Sequence, residues 1–227
     1  MPAPISVVIP TLNAAGELAA SLDSLMPGLQ AGLIREVIVS DGGSDDATLA
    51  VTAEGGCVLV EGPAGRGAQL IAGAEVARGG WLLFLHADTI LSRDWAERVA
   101  DHIADHSDKA AAFALAYRSD APEAKWLAAR ANRRARWFGL PYGDQGLLIS
   151  RGLYDAVGGF DDAPLMEDVA IVRRIGKSRL RLLSAEARTS AAKYERDGWR
   201  RRAYRNAWLA FRYYCGASPE ALAKVYD

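Results

Sequence analysis

The sequence has few cysteines, no excess of either charge and no long apolar segment, and each shortage excludes a class of protein. Only two of the 227 residues, Cys57 and Cys215, are cysteines. Two cysteines exclude a disulfide scaffold and a cysteine-ligated zinc site, and they suit a reducing compartment. The 27 basic residues are balanced by 28 acidic ones, a formal net charge of −1, which excludes an overall basic nucleic-acid binder.

No apolar stretch approaches the roughly 20 residues that a membrane-spanning helix needs. The apolar run at 81–85, for example, is only as long as a strand. The N-terminal residues lack the basic leader of a signal peptide. We therefore expect a cytoplasmic protein, located at most on the inner face of a membrane.

Apolar and polar segments alternate in the first half as they do in α/β proteins. Half of the residues are hydrophobic and 24% are charged, which is typical of a globular protein. Short β-branched or apolar runs predict strands at 5–9, 36–40, 57–60 and 81–85. The intervening segments predict helices at about 14–25, with Asn13 as a cap, at about 46–53 and at 68–77. This alternation predicts βαβ units and a parallel sheet.

The second half is less regular. Its patterns predict helices at 94–106, 122–138, 167–175 and 199–214, another from Pro219, and strands at 110–117, 146–150 and 179–183. The segments 125–136 and 196–212 together carry a charge of +10, which leaves −11 on the rest of the chain. The arginine-rich aromatic helix at 199–214 either packs on the core, binds an anionic substrate or lies on an anionic membrane.

Polar residues follow the strands at the edge where parallel sheets bind ligands. Asp88 suits a divalent metal that clamps a diphosphate, or else it is an ordinary loop or cap residue. His86 points to the same side and is either a second ligand or a core residue. The turn that starts at Asp41 either contacts a nucleobase or ribose or simply joins a strand to a helix.

Two further segments remain open to a functional or a structural interpretation. The glycine turn at 62–67 is either a phosphate cradle or a surface turn, and its spacing matches neither the dinucleotide motif nor a Walker loop. Glu167 and Asp168 either complement a helix dipole or include a general base.

Taken in order, the motifs resemble the family 2 glycosyltransferases, which have a GT-A fold. The matching stretches are VVIPTLN at 7–13, VIVSDGGSDDAT at 37–48, RGAQ at 66–69, FLHADT at 84–89, GGFD at 158–161 and ED at 167–168. The order and spacing match over about residues 4–175. The tail from Tyr194 resembles a compact subgroup known as radical-SAM/selenodomain-associated transferases.

The resemblance implies an α/β fold with a mostly parallel central sheet flanked by helices, and an α-helical C-terminal tail. It implies one domain over 1–227, with a nucleotide-binding half at about 1–90, an acceptor half at about 91–195 and C-terminal helices at about 196–227. The implied activity is an inverting transfer from a nucleotide-diphosphate sugar to a hydroxyl acceptor, with Mg²⁺ or Mn²⁺ as cofactor.

The resemblance also implies roles for individual residues. The implied nucleotide-binding residues are Pro10, Thr11, Asn13, Glu17, Asp41, Asp45 and Arg66. Asp168 resembles the catalytic base, with Glu167 beside it, and Asp88 resembles the last aspartate of the D-x-D metal motif. His86 replaces the first aspartate of that motif, which weakens metal binding or favours a softer metal such as Mn²⁺. From composition alone, the loop with Tyr142, Gly143, Asp144 and Gln145 is either an acceptor or sugar site or a plain turn. Arg196 and Trp199 are further acceptor candidates, in a segment that is only reminiscent of the family's Q-x-x-R-W acceptor motif, which is absent as such.

Two other functions are carried forward as alternatives. A sugar-1-phosphate nucleotidyltransferase has a similar nucleotide-binding half, but its longer glycine-rich loop is absent near Thr11. A non-catalytic nucleotide-sugar-binding module is supported only by His86. The basic segments suggest an acceptor that is anionic or lipid-linked, and a peripheral membrane contact through the basic helices.

Overall fold

The computed structural model describes residues 3–226, which form one mixed sheet of eight strands flanked by helices. The strands are β1 (Ile5–Thr11), β2 (Ile34–Asp41), β3 (Val58–Glu61), β4 (Trp81–Phe84), β5 (Ile90–Leu91), β6 (Ala110–Tyr117), β7 (Leu147–Ser150) and β8 (Leu180–Thr189). Their order across the sheet is β3-β2-β1-β4-β7-β6-β8-β5.

Helices connect most of the strands and cover both faces of the sheet. They are α1 (Ala15–Asp23), α2 (Met26–Gln30), α3 (Thr48–Glu54), α4 (Arg66–Val76), α5 (Trp95–Asp105), α6 (Pro122–Phe138), α7 (Arg151–Ala156), α8 (Glu167–Ile175), α9 (Ala192–Asp197), α10 (Trp199–Tyr214) and α11 (Pro219–Tyr226). Short 3₁₀ turns occupy Gly143–Gln145 and Lys177–Arg179.

Strand directions bring distant segments to one edge of the sheet. β2, β1 and β4 are neighbours and run parallel, as the βαβ pattern predicts. β7 is antiparallel to both β4 and β6, while β8 is parallel to β6. The start of β7 therefore lies at the edge where β1, β2, β4, β6 and β8 end. Loops from both halves of the chain meet there.

Alternation along the strands divides the core between the two faces of the sheet. Ile5, Val7 and Ile9 of β1 pack with Trp95 on one face, and Val8 packs on the other. All of these side chains are buried. A smaller cluster of Leu165, Leu209 and Leu222 holds α10 and α11 against the start of α8.

Several sequence predictions were wrong in detail. Asn13 does not cap α1, because its φ of 52° is left-handed and its side chain bonds the neighbouring loop instead. The predicted helix at 14–25 ends at Asp23, and Pro27 lies inside the short α2 rather than terminating a helix. β8 has ten residues instead of five, because small buried alanines alternate with polar residues beyond Leu183.

Candidate functional site

An open cleft of about 940 Å³ lies at this edge of the sheet. Its walls come from the turn after β4, the loop before β7, the start of α8, the end of β8, and helices α9 and α10. Segments more than 100 residues apart therefore face one space. A smaller adjoining cavity of about 410 Å³ shares four of its residues, His86, Tyr142, Gly143 and Asp168.

Asp41 anchors the turn that follows β2. Its carboxylate is 1% exposed and accepts hydrogen bonds from the Thr11 hydroxyl (2.8 Å), the Ser44 hydroxyl (2.6 Å), and the amides of Gly43 and Ser44. Burial by itself raises the pKa of Asp41, but these hydrogen bonds, led by those of Ser44, outweigh it and lower the pKa. Asp41 is therefore a fixed anion whose oxygens already have four internal donors.

A second set of bonds joins the loops after β1 and β2. The Asn13 side-chain oxygen accepts from the Asp45 amide at 2.9 Å, and the Asn13 amide donates to the Ser44 hydroxyl at 2.8 Å. Pro10 lies opposite Ser40 in the parallel register. The structure thus brings Pro10, Thr11, Asn13, Asp41 and Asp45 together.

Gln69 holds the ends of β1 and β2 together, a role that the sequence did not predict. Its buried side-chain amide donates to the carbonyl oxygens of Thr11 (2.6 Å) and Ser40 (2.8 Å), at the ends of β1 and β2. The residue belongs to the RGAQ stretch, so the signal was present. Its partners became visible only in three dimensions.

Glu17 lies on the side of the site nearest Asp88. Its carboxylate pairs with Arg118 at 2.5 Å, and the same guanidinium lies 3.4 Å from the Asp88 carbonyl oxygen. Arg118 follows β6, and sequence reasoning did not select it. The pair links the first and second halves of the chain across the sheet edge.

Asp88 is half-buried in the cleft and has one side-chain hydrogen bond, from the Thr189 hydroxyl at 3.3 Å. Burial raises its pKa, with a further contribution from the Glu17 carboxylate. The positive charges of Lys193 and Arg118 partly oppose this effect.

His86 is an uncharged imidazole in the same cleft. Burial and the positive charges of Arg66 and Lys193 lower its pKa to about 3. The ring packs against Gly143, where an added Cβ would lie only 2.7 Å from Nε2. A neutral imidazole keeps a lone pair, so His86 remains able to accept a hydrogen bond or ligate a metal.

Asp168 lies at the start of α8 and is held by backbone amides. Its Oδ2 accepts from the Gly143 amide at 2.6 Å and its Oδ1 from its neighbour Val169 at 2.7 Å. Asp168, His86 and Gly143 line the same cleft. Asp168 is thus a carboxylate held in place by two amides, and each of its oxygens can accept a further hydrogen bond.

Glu167 lines the smaller adjoining cavity and contacts Arg66, which lines the cleft. It is 1% exposed, and its Oε1 lies 3.4 Å from the Arg66 guanidinium. Burial and the adjacent Asp168 raise the pKa of Glu167 to about 7. Its Oε2 is buried and has no hydrogen-bond partner among residues 3–226. The geometry assigns Glu167 to orienting Arg66 beside the site.

Asp144 adds a third carboxyl group to the cleft. Burial raises its pKa to about 6, helped by the Asp168 and Asp88 charges and opposed by Arg134. Its Oδ1 is buried, and the described part of the chain offers it no hydrogen bond. Asp144, Asp88 and Asp168 thus line one cleft.

The remaining acceptor candidates separate into two groups. Tyr142 and Gly143 line the cleft, and the Arg134 guanidinium lies 3.5 Å from the Tyr142 ring centroid. Gln145 does not reach the cleft, since it is fully buried and donates to the carbonyl oxygen of Phe113 at 3.0 Å.

Arg196 and Trp199 also lie outside the cleft lining. Arg196 is 73% exposed and pairs with Asp197, and this pairing raises the pKa of Arg196. Trp199 stacks on Tyr194 with ring centroids 5.1 Å apart. Trp199 therefore supports Tyr194, which lines the cleft itself.

The C-terminal wall of the cleft was missed by sequence reasoning. Lys193, Tyr194, Arg202 and Asn206 project into it from α9 and α10. Asn206 donates to the Tyr194 hydroxyl at 3.2 Å, while its Oδ1 is buried without a partner in the part of the chain that the structure describes. The only signal was the concentration of arginines and aromatics in this tail.

The donor set fits a divalent cation that shares its ligands with a bound phosphate group. Among residues 3–226, no three His, Cys, Asp or Glu side chains are grouped closely enough to hold a metal ion by themselves. Mg²⁺ bound with substrate phosphates takes only one or two carboxylates from the protein. Asp88 and the neutral imidazole of His86 follow the same strand and both line the cleft, so they are the side chains available to such a cation.

Sequence comparison supports the resemblance seen in the motifs. The family described as "Glycosyl transferase family 2" matches residues 6–160. A "PGL/p-HBAD biosynthesis glycosyltransferase" of Mycobacterium bovis is 36% identical over 115 residues, which are 47% of this chain and 44% of the relative. Mycobacterium tuberculosis has a similar relative with the same identity and coverage. The chain thus spans less than half of these curated relatives.

Solved structures share the fold. A mannosyltransferase from Pyrobaculum calidifontis, in complex with GDP-Man and Mn²⁺, has a TM-score of 0.68 and 19% identity, covering 98% of this chain and 67% of its own. Glucosyl-3-phosphoglycerate synthase from Mycobacterium tuberculosis has a TM-score of 0.60 and 23% identity, covering 81% and 70%. TarS from S. aureus has a TM-score of 0.63 and 18% identity, covering 83% and 37%.

Proposed function

Because the chain belongs to glycosyltransferase family 2, we propose that it transfers a sugar from a nucleotide-diphosphate sugar to a hydroxyl group of an acceptor. One observation carries the proposal. A single cleft contains Asp88, His86 and Asp168 at the edge of the sheet where the β1 and β2 loops also end. A metal-binding carboxylate and a positioned base are the two groups that such a transfer needs on opposite sides of the sugar.

The donor class is supported by the two similar folds solved with nucleotide sugars. The Pyrobaculum mannosyltransferase holds GDP-Man, and TarS has been solved with UDP-GlcNAc. In this chain a nucleoside would contact the cluster of Thr11, Asn13 and Asp41, whose loops are held together by hydrogen bonds. Arg66 at the start of α4 would contact the base, ribose or phosphates.

Asp88 would hold Mg²⁺ or Mn²⁺, with His86 as the second protein ligand. When bound, the cation would stabilise the negative charge that develops on the leaving diphosphate. Arg66 and Lys193 add fixed positive charge on the same side, since both act on the pKa of His86.

Asp168 would remove the proton from the attacking hydroxyl of the acceptor. Its two amide hydrogen bonds orient the carboxylate before the acceptor arrives, so little reorganisation is needed. Attack from the face opposite the leaving diphosphate, in one displacement, inverts the anomeric configuration. Glu167 is a positioning residue that holds Arg66.

The acceptor would bind between the loop before β7 and the wall formed by α9 and α10. Asp144 Oδ1 and Asn206 Oδ1 are acceptors without partners in the described structure, and both belong to residues that line this space. Hydroxyl groups of an acceptor would satisfy these buried oxygens once the two side chains turn toward the space. Lys193 adds a cation that suits an anionic acceptor.

Calorimetric titration with UDP, GDP, CDP and dTDP tests the donor site. We expect one of the nucleotides to bind tightly with Mn²⁺, and its binding to weaken at least tenfold with chelator or in Asp88→Asn. Asp101→Asn, an exposed carboxylate on α5, is the matched control and should bind like the wild type. Absence of metal-dependent binding by every nucleotide would argue against the proposal.

Turnover of the matching nucleotide sugar tests catalysis separately. Asp168→Asn should reduce turnover by at least 100-fold while nucleotide binding stays unchanged. If the wild type binds the nucleotide but never consumes the sugar donor under any acceptor condition, the chain is a non-catalytic binding module instead.

A further inference from the structure

Two helices expose large aromatic side chains to solvent. On α6, Trp126 and Trp137 are 56% and 58% exposed, and on α10, Tyr204, Trp208 and Phe211 are 76%, 46% and 57% exposed. Large exposed aromatics grouped in this way are characteristic of interaction sites rather than of ordinary surface. The two helices contact each other, so these side chains belong to neighbouring elements.

The exposed aromatics of α6 lie on one stripe with arginines. The stripe is formed by Trp126, Arg130, Arg133 and Trp137, at helical spacings of four, three and four. The buried residues Ala124, Ala128, Ala131 and Ala135 repeat the same spacing two positions earlier, so they occupy the opposite face. Arg130 lies 4.6 Å from the Trp126 ring centroid, and Arg133 lies 5.9 Å from that of Trp137. Small alanines therefore face the protein while tryptophan and arginine face outward.

α10 repeats this arrangement. Trp208 and Phe211 stack with ring centroids 5.9 Å apart on the outer face, whereas Arg202 and Leu209 are buried on the inner face. The helix contains five arginines and no acidic residue. α10 thus differs from a helix that packs its aromatic side chains on the core, because Trp208 and Phe211 face solvent while Arg202 is buried.

We propose that the outward faces of α6 and α10 form a surface that binds an anionic lipid membrane. Aromatic rings and arginine side chains are both favoured at the level of lipid headgroups, where the rings are partly buried and the guanidinium groups meet anionic phosphates. Charge complementarity selects this partner, because the exposed side chains of the two helices include Arg130 and Arg133 on α6 and Arg200 and Arg201 on α10, whereas α10 has no acidic residue and α6 has one. In the described part of the chain, no helix is long and apolar enough to cross a membrane.

The surface lies directly behind the candidate site. The inner face of α10 supplies Asn206 and Leu209 to the cleft, while its outer face carries Trp208 and Phe211. One helix therefore separates the cleft from the bound membrane. The proposal about membrane binding stands independently of the transfer reaction, but together they favour an acceptor that is presented at a lipid surface.

Sedimentation with sucrose-loaded vesicles tests the proposal. The wild type should bind vesicles of 70% phosphatidylcholine and 30% phosphatidylglycerol in 50 mM NaCl and should dissociate from them in 500 mM NaCl. It should not bind vesicles of pure phosphatidylcholine at either salt concentration. The variant Arg130→Gln/Arg201→Gln should bind about 25-fold more weakly, about fivefold for each charge. Arg35→Gln/Arg93→Gln, which neutralises two exposed arginines elsewhere, is the matched control and should bind like the wild type.

The aromatic component is tested with Trp208→Ser/Phe211→Ser, which should weaken vesicle binding about tenfold. The control is Met26→Ser/Leu29→Ser, because these side chains are similarly exposed at 46% and 44% but lie on α2. Failure of the wild type to bind anionic vesicles at low salt overturns the proposal. Equal losses in the surface and control variants also overturn it, as does binding to RNA or self-association in place of vesicle binding.

Discussion

Replacing Asp144 by asparagine should stabilise the protein at neutral pH although the residue lies in the candidate site. The native carboxyl is surrounded by the charges of Asp168 and Asp88, and its Oδ1 is buried without a hydrogen-bond partner among residues 3–226. Asparagine keeps the shape of the side chain and removes the charge. The substitution therefore isolates the free-energy cost of holding a charged carboxylate at this position.

The magnitude follows from the pKa, which burial raises from 3.8 to about 6 in the folded protein. Between these values the folded state binds a proton that the unfolded state has released, so Asp144 makes stability fall as the pH rises. Above pH 6 the penalty is constant. A shift of about two pKa units corresponds to about 3 kcal/mol, and partial exposure of the residue reduces this to an expected 1–3 kcal/mol, roughly.

Urea unfolding at pH 4 and pH 8 measures this effect. The free energy of unfolding of Asp144→Asn, relative to wild type, should rise by about 1–3 kcal/mol between pH 4 and pH 8. Any fixed cost of burying the amide is the same at both pH values and cancels. Asp101→Asn should show no such difference, because Asp101 is exposed. A relative change for Asp144→Asn below about 0.5 kcal/mol would refute the electrostatic explanation.

Two further substitutions test the packing of the site. Gly143→Ala should lower kcat/KM about 100-fold for whichever nucleotide sugar is consumed, because the new Cβ would lie 2.7 Å from His86 Nε2 and 3.2 Å from Asp168 Oδ2. Gly152→Ala meets nothing within 4 Å and should keep full activity, and equal losses in both would contradict the steric argument. Gln69→Leu should lower the free energy of unfolding in urea by about 2–4 kcal/mol, since two buried carbonyl oxygens lose their donor. A loss below about 1 kcal/mol would show that water replaces that donor.

The first half of the chain could be predicted because local patterns there agree with the topology. β-branched runs define β1 and β2, and parallel crossovers place their carboxyl ends at one edge. Thr11 and Asp41, two polar residues at the ends of neighbouring strands, hydrogen-bond directly, and their role in a shared site stays a prediction. No knowledge of the second half is needed for this inference.

The second half depends on contacts that no local pattern encodes. The loop at Gly143 reaches the site only because β7 runs antiparallel between β4 and β6. The wall from α10 depends on a small leucine cluster around Leu209. Hydrophobicity would place Trp208 inside and Arg202 outside, whereas the structure has the reverse. The ion pair of Arg202 with Asp197 explains how a guanidinium can be buried there.

The division between the two halves has a consequence for specificity. The family match ends at residue 160, so it includes the β1 and β2 loops and Asp88 but not Lys193 or Asn206. Residues that would bind the nucleotide and metal therefore come from the shared part, and the wall that would contact the acceptor comes from the part beyond it. α10 also carries the exposed aromatic and basic face. This one helix would therefore determine both which acceptor fits the cleft and whether the protein binds the membrane at which the acceptor is presented. Substitutions on the inner face of α10 should change acceptor choice without changing nucleotide binding, whereas substitutions on its outer face should change membrane binding alone.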